Sequence, residues 1–282
     1  MSTPADVAAA GQLACLLEVS APKPGNVSPG LHFHDTRYED FLASAVAIGP
    51  ALSGAAEHPL GTTIRTSVEA TRRWTRSNTN LGIVLLLAPL ARAALRSGGS
   101  LRERLAVVLK ETTVTDAAQV YAAIRHAGPG GLGASSAEDV SDTPTVTLRD
   151  AMALAADRDA VAREYVTDFA LTFEVGVPAV RAGRQEGLGW TEAAVEAYLT
   201  LLASTPDTHI ARKLGQAEAE SVSRSALEVR EVGGTRSAAG RKALAALDAE
   251  LRDPRNRRNP GTTADLTCAA LFVVILEGGW DR

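Results

Sequence analysis

Residues 18–35 read EVSAPKPGNVSPGLHFHD, and this stretch decides how the rest of the chain is arranged. Two prolines bracket Lys23, so the backbone there is stiff and extended. Pro24-Gly25 and Pro29-Gly30 are turn signals. The stretch, called here the first polar segment, therefore predicts a loop of restricted shape that carries charged side chains. Such loops commonly hold binding or catalytic residues, and a polar surface connection without function is the alternative.

On both sides of this loop the sequence predicts helices. Ala and Leu are abundant, and both favour closely packed helices. Apolar periodicity and capping signals predict helices at about residues 5–19, 62–76, 83–96 (bent at Pro89), 100–112, 115–125, 150–156, 158–173, 177–186, 190–202, 216–249 (broken at Gly233-Gly234 and near Gly240) and 266–276. We find no run of alternating strands. We therefore expect an all-α fold, a single large bundle-like domain over residues 1–282.

Composition excludes several classes of protein. The net charge of −4 gives no global signal for nucleic acid or an anionic membrane. The longest apolar run, residues 83–91, is too short to span a bilayer and contains Pro89. The N-terminus lacks a basic region followed by an apolar core, so we expect no signal peptide and a cytoplasmic location. Cys15 and Cys268 lie in apolar surroundings typical of buried free thiols, and a single long-range disulfide is the alternative. The sequence is compatible with a homodimer.

A second polar segment, residues 76–82, precedes the apolar helix that begins near Ile83. Backbone N–H groups at such a helix start attract phosphate or carboxylate. We therefore include Asn78, Thr79 and Asn80 among the candidate ligand-binding residues. Simple capping of the helix by one of these side chains is the alternative.

Two further polar segments lie at predicted helix starts. The third, residues 205–215, offers Asp207 as an N-cap, or Arg212 and Lys213 as phosphate-binding cations. The fourth, residues 259–265, has Thr262 three residues before Asp265, a capping arrangement. The same helix start could instead hold a phosphate, with Asp265 binding a metal ion.

If the helices pack antiparallel, the helix ends that carry the four polar segments can lie together at one end of the bundle and form one site. The site would contain carboxylates, cations and proton carriers in the following sets: Asp35, Asp207 and Asp265; Lys23, Arg212 and Lys213; His34 and His209. Oxygen donors beside cations suit a Mg²⁺–polyphosphate ligand. A transition-metal site that uses the histidines is the alternative.

These segments resemble one enzyme family, the triphosphoribosyl-dephospho-CoA synthases. The similar stretches follow in consistent order along almost the whole chain: residues 22–27, His34-Asp35, residues 78–82, 129–133, 207–209 and 259–265. The resemblance implies an all-α, Mg²⁺-dependent transferase that uses ATP. In that family a ribose hydroxyl of dephospho-CoA displaces adenine from C1′ of ATP.

The charges that develop in this reaction suggest hypothetical roles for particular side chains. Glu18 or Asp35 would stabilise positive charge at C1′, and His34 or His209 would serve the leaving adenine. The cations and metal-binding carboxylates named above would hold the triphosphate, together with residues at two helix starts: Asn78, Thr79 and Asn80, and Thr262 and Thr263.

Two features of the sequence leave the acceptor open. Asn80 and Leu81 stand where the synthases have His and Lys, and residues 129–133 resemble a branch associated with methanopterin-type C1-carrier biosynthesis. The partners we expect are ATP and a small-molecule or CoA-like acceptor. Another ATP-using enzyme, such as a ligase or kinase, and a nucleotide-binding protein without catalysis remain the alternatives.

Overall fold

The structure, a computed structural model, describes residues 2–128, 138–278 and 280. The segment 129–133, which contributes to the family resemblance, lies outside the described residues. Within them the secondary structure is helical, and the one extended feature is an isolated bridge between Ser28 and Leu31. The predicted all-α fold is confirmed.

The described chain divides into two compact units. The first unit comprises residues 1–15 and 39–170, and the second comprises residues 16–38 and 171–282. Helix α1 contributes residues to both units. That one domain contains both units stays a prediction.

The helices of the first unit have the following bounds: α1 Pro4–Ser20 (to residue 15), α2 Tyr38–Ala47 (from residue 39), α3 Gly49–Ser53, α4 Leu60–Arg72, α5 Leu81–Ala94, α6 Leu101–Lys110, α7 Val114–Ala127, α8 Leu148–Ala155 and α9 Ala160–Val166. Helix α5 is almost entirely buried and forms the centre of this unit's core. Helices α4 and α7 pack together, and the Asp116 carboxylate accepts a hydrogen bond from Gly61 N at 2.8 Å.

Pro89 does not interrupt α5, which runs through it without a break. A proline in a helix lacks the N–H that would bond the carbonyl four residues earlier, here that of Leu85. The Tyr165 hydroxyl donates to that carbonyl at 2.6 Å. Burial raises the pKa of the Tyr165 hydroxyl far above its ordinary value, so it remains a donor. The bend expected at Pro89 stays a prediction.

The second unit contains a π-helix at Leu171–Gly176, α10 Val177–Gln185, α11 Trp190–Ser204, α12 Thr208–Leu214, α13 Gln216–Glu231, a 3-10 turn at Gly234–Arg236, α14 Ala238–Leu251 and α15 Gly261–Leu276. Helix α11 packs against α10, α13 and α15. Helix α15 is buried along most of its length. This unit also holds the end of α1 and the first polar segment.

Three predicted boundaries are wrong. The predicted helix 158–173 breaks at Asp168 and Phe169, whose φ angles are 49° and 60°. The predicted break near Gly240 is absent, since Gly240 lies inside α14. A Cβ at this position would lie 2.1 Å from the Gly234 carbonyl oxygen, so glycine is what permits the close packing of the turn against the helix. Helix α15 begins at Gly261, before the predicted start at residue 266.

In the described residues, no helix is both long and apolar enough to cross a membrane.

Candidate functional site

A buried ion pair closes the start of the first polar segment in the second unit. The Lys23 ammonium lies 2.9 Å from Glu18 Oε1 and also donates to the carbonyls of Glu18 and Ala21. Lys23 is only 1% exposed. The ammonium therefore neutralises Glu18 and binds carbonyls at the C-terminal end of α1, where cations are favoured. Direct contact of either side chain with a ligand stays a prediction, and the geometry favours a role in shaping the loop.

The Asp207 carboxylate joins the starts of two helices. Its Oδ1 caps α12 by accepting hydrogen bonds from His209 N at 2.8 Å and Ile210 N at 3.0 Å. Its Oδ2 accepts bonds from Thr263 N and Oγ1 in the first turn of α15, both at 2.7 Å. Burial raises the pKa of the Asp207 carboxyl, and these hydrogen bonds offset part of that effect. The predicted N-cap role is confirmed.

The start of α15 differs from the predicted capping arrangement of Thr262 with Asp265. Pro260 occupies the N-cap position and gives no side-chain cap, so Asp207 supplies the acceptor for Thr263 N instead. Thr262 bonds the Thr208 hydroxyl at 3.1 Å, which adds a second link between the two helices. Sequence reasoning missed Thr208. Asp265 lies one turn into α15 and is half-buried.

His209 sits beside this junction as a neutral imidazole. Burial, followed by the positive charges of Lys213 and Arg212, lowers the pKa of His209 to about 3. The Arg212 guanidinium, which can only donate, lies 3.5 Å from Nδ1, so the ring proton is on Nε2. That Nε2 is buried and has no hydrogen-bond partner among the described residues.

The Asn259 side chain provides a second buried polar atom next to His209. Its Oδ1 is buried and has no hydrogen-bond partner in the described part of the chain. A Cβ built on Gly261 would be 3.5 Å from the His209 ring and 3.6 Å from Asn259 Nδ2, so both side chains flank the first residue of α15. Buried polar atoms without partners are uncommon. A donor at His209 and an acceptor at Asn259 are thus available to a ligand.

Lys213 connects the third polar segment to the first. Burial and the Arg212 charge lower the pKa of Lys213, while Asp35, Asp253 and Asp207 act in the opposite direction. These effects require Asp35 and Asp253 to lie within electrostatic range of the ammonium. Arg212 and Lys213 lie in the last turn of α12, and the Asp35 carboxylate is within electrostatic range of Lys213.

His34 and Asp35 form the exposed edge of this region. Their side chains are 60% and 58% exposed, with His34 Nε2 3.8 Å from Asp35 Oδ2. The Asn256 amide lies 3.0 Å from His34 Nδ1. Asp253 accepts backbone hydrogen bonds from Arg255 and Arg257 and so orders the segment that carries Asn256. The sequence did not predict these contacts, although Asp253-Pro254 is a turn signal.

The second polar segment belongs to the first unit, where its side chains have internal partners. Asn78 accepts a hydrogen bond from Leu81 N at 3.1 Å, which supports the simple capping interpretation. The Thr79 hydroxyl lies 2.6 Å from that of Ser44, and Asn80 donates to the Thr71 hydroxyl at 3.0 Å. Contact of these residues with a nucleotide stays a prediction.

The three carboxylates predicted to bind one metal ion do not fit that role together. In residues 2–128, 138–278 and 280, no group of three or more His, Cys, Asp and Glu side chains is arranged to hold a metal ion. Both oxygens of Asp207 are already engaged by four hydrogen bonds. Asp35, by contrast, is exposed at the edge of the site.

The low pKa of His209 predicts a particular pH dependence of stability. The unfolded chain takes up a proton on His209 below about pH 6.5, whereas the folded chain does so only near pH 3. Stability is therefore lost as the pH falls through this window, by up to about 1.4 kcal/mol per pH unit. We expect His209→Gln to remove this pH-dependent loss of stability, as measured by urea unfolding between pH 7 and pH 4.5. His126→Gln, at an exposed position in α7, is the control; parallel pH profiles for wild type and His209→Gln would contradict the assignment.

Comparison with known proteins gives a match over nearly the whole chain. The sequence profile of the CitG family, described as ATP:dephospho-CoA triphosphoribosyl transferase, matches residues 4–282. A 2-(5''-triphosphoribosyl)-3'-dephosphocoenzyme-A synthase of Klebsiella pneumoniae is 33% identical over 104 residues, which are 37% of this chain and 36% of that protein. A Stutzerimonas stutzeri (strain A1501) protein assigned the same activity is 35% identical over 105 residues, 37% of this chain and 36% of that protein. The chain thus spans about a third of the length of these curated relatives.

A solved structure is similar over a larger part of the chain. The crystal structure of an Archaeoglobus fulgidus protein assigned as a triphosphoribosyl-dephospho-CoA synthase gives a TM-score of 0.66 at 27% identity. The similarity covers 84% of this chain and 99% of that one. It supports the all-helical fold.

Proposed function

The chain belongs to the CitG family of ATP:dephospho-CoA triphosphoribosyl transferases, and we propose that it transfers the triphosphoribosyl group of ATP to a hydroxyl group of dephospho-CoA. The observation that carries the proposal is the junction in the second unit where Asp207 joins the starts of α12 and α15. Two cations and a neutral histidine lie beside that junction.

The junction suits a polyphosphate. The positive end of the α15 dipole favours an anion, although the Thr263 N–H itself is already bonded to Asp207, so the two cations would make the direct contacts. Lys213 and Arg212 repel each other, which contributes to the lowered pKa of Lys213. A bound triphosphate would relieve this repulsion and make charge-assisted hydrogen bonds with both side chains. Thr262 and Thr263 belong to this site as the first turn of α15.

His209 serves this site as a hydrogen-bond donor. With a pKa of about 3, the imidazole is neutral at pH 7, so it is a poor proton source for adenine. Its Nε2–H and the side-chain oxygen Oδ1 of Asn259 offer one donor and one acceptor to the nucleotide. His34, which is exposed next to Asp35, is our candidate for the group that transfers a proton.

The reaction is a displacement at C1′ of ATP. The bond between C1′ and the adenine nitrogen breaks, and a bond forms from C1′ to the acceptor oxygen. The hydroxyl proton passes to the departing adenine. Positive charge develops at C1′, and a nearby carboxylate stabilises it. We assign this role to Asp35, because Glu18 is buried and already neutralised by Lys23.

We also propose that ATP is used as its magnesium complex. The described residues supply no three-carboxylate site, so the triphosphate oxygens would provide most of the ligands. Asp35 or Asp265 would add one carboxylate at most. A homodimer and a cytoplasmic location remain proposals, and light scattering of the purified chain tests the first.

Lys213 provides the test of the phosphate site. We expect Lys213→Met to weaken MgATP binding about tenfold or more, since one charge-assisted contact is worth about 1.4 kcal/mol or more. Isothermal titration calorimetry with and without Mg²⁺ measures this. The matched control is Lys242→Met, at an exposed lysine on α14, which should leave affinity unchanged. Equal affinities for wild type and Lys213→Met would reject the site.

The products of ATP turnover test the function. Incubation with ATP and dephospho-CoA should release free adenine. ADP or AMP would indicate a kinase or ligase, and unchanged ATP despite binding would indicate a nucleotide-binding protein without catalysis. Adenine release with a pterin-type C1 carrier, and none with dephospho-CoA, would keep the reaction and change the acceptor.

A further inference from the structure

The ion pair of Asp248 and Arg252 binds the first polar segment, although the pair and the segment are far apart in sequence. The Asp248 carboxylate accepts hydrogen bonds from Arg252 Nε and Nη2, both at 2.8 Å, so the pair is bidentate. Asp248 Oδ1 also accepts from Gly25 N at 2.8 Å, and Arg252 Nη2 donates to the Asn26 carbonyl at 3.0 Å. The pair therefore binds an N–H and a carbonyl of adjacent residues in the loop.

Other contacts fix the same loop from the opposite direction. The buried Tyr198 hydroxyl donates to the Pro24 carbonyl at 2.7 Å, and the Asn26 amide donates to that hydroxyl at 3.0 Å. Gly25 has a φ of +74°, and a Cβ there would lie 2.9 Å from Leu251 Cβ. The loop is thus wedged between α11 and the end of α14. Only glycine tolerates both the backbone angle and the close contact.

We propose that Asp248 and Arg252 are positioning residues for the reaction, an inference that rests on the proposed function. Arg252 leads directly into the segment that carries Asn256, and Asn256 contacts His34. The loop that Arg252 binds leads to the same His34 and to Asp35. One ion pair therefore holds the loop that leads to His34 and Asp35 and also the start of the segment that contacts His34. We assign proton transfer to His34 and charge stabilisation to Asp35.

The pair suits positioning better than stabilisation. The side chains of Asp248 and Arg252 are 27% and 25% exposed, and partly exposed ion pairs contribute little to the free energy of unfolding. Displacement of a reacting group by about 1 Å, however, lowers a rate about 100-fold. A lysine at position 252 keeps the charge and loses the fork that reaches Asp248 and Asn26 together. The expected effect is therefore on kcat, with little effect on ATP binding.

The test uses Asp248→Ala and Arg252→Lys in the full chain. We expect each variant to lower kcat for adenine release about 10- to 100-fold, while the KM for ATP changes less than about threefold. The matched controls are Glu231→Ala and Arg224→Lys, at exposed positions of α13, which should behave as wild type. Unchanged kcat, or a KM that rises as much as kcat falls, would overturn the proposal.

Hydrogen exchange separates this proposal from the proposed function. Asp248→Ala removes the acceptor of the Gly25 N–H, so the peptide that covers residues 24–28 should exchange faster than in wild type and in Glu231→Ala. If Asp248→Ala exchanges faster but the wild-type protein releases no adenine, the proposed function is rejected, while the ion pair is kept as the support of the loop. Unchanged exchange would reject the ion pair itself.

Discussion

Lys23→Met destabilises the second unit by about 3–5 kcal/mol, because it leaves the buried Glu18 carboxylate without its ion-pair partner. Methionine fills a similar volume, so loss of packing contributes little. The substitution also removes the donor to the carbonyls of Glu18 and Ala21 at the end of α1. Urea unfolding, followed by helical circular dichroism, measures the change.

The double variant Glu18→Gln/Lys23→Met is the control for this prediction. It removes both charges, so the desolvated carboxylate is no longer present, and we expect it to recover much of the stability lost in the single variant. Breaking one half of a buried ion pair commonly costs more than replacing the whole pair. A single variant that loses less than about 1 kcal/mol, or a double variant as unstable as the single one, would contradict the buried pair.

Asp207→Ala is expected to destabilise by about 2–4 kcal/mol, more than loss of an ordinary helix cap. Asp207 accepts two bonds at the start of α12 and two more from Thr263, and its side chain is buried. Alanine would leave the Thr263 N–H and hydroxyl without their acceptor and would disconnect the starts of α12 and α15. Urea unfolding again provides the measurement.

A second helix of the chain offers a matched control. Asp159 caps the seven-residue α9 through its bonds to Val161 N and Ala162 N, just as Asp207 caps the seven-residue α12. Asp159→Ala should cost about 1 kcal/mol, the ordinary effect of losing a cap. If the two variants were equally destabilised, the bonds from Asp207 to Thr263 would contribute nothing.

The helical class was predictable because its signals are local. Ala and Leu content, apolar periodicity and capping residues act within one or two turns, and the capping box at Ser100 forms as such signals require. The start of α15 was missed because its acceptor comes from Asp207, 56 residues earlier in the chain. The partner of the Leu85 carbonyl was equally hidden, since Tyr165 lies 80 residues away from it.

The candidate site was predicted in part. Charged residues at helix ends identified the third and fourth polar segments, and the structure brings Asp207 and Thr263 into contact. Sequence could not indicate that Lys23 is buried, because its contact with Glu18 depends on how the chain turns after α1. The depressed pKa of His209 also follows from burial in the folded chain, which composition does not reveal.

The products formed from MgATP and dephospho-CoA test the central claim most directly. We predict that liquid chromatography with mass spectrometry will find adenine and triphosphoribosyl-dephospho-CoA in equal molar amounts. Lys213→Met should form both more slowly at low ATP concentration, and Lys242→Met should match wild type. Accumulation of ADP or AMP, or absence of adenine with every acceptor tried, would contradict the account.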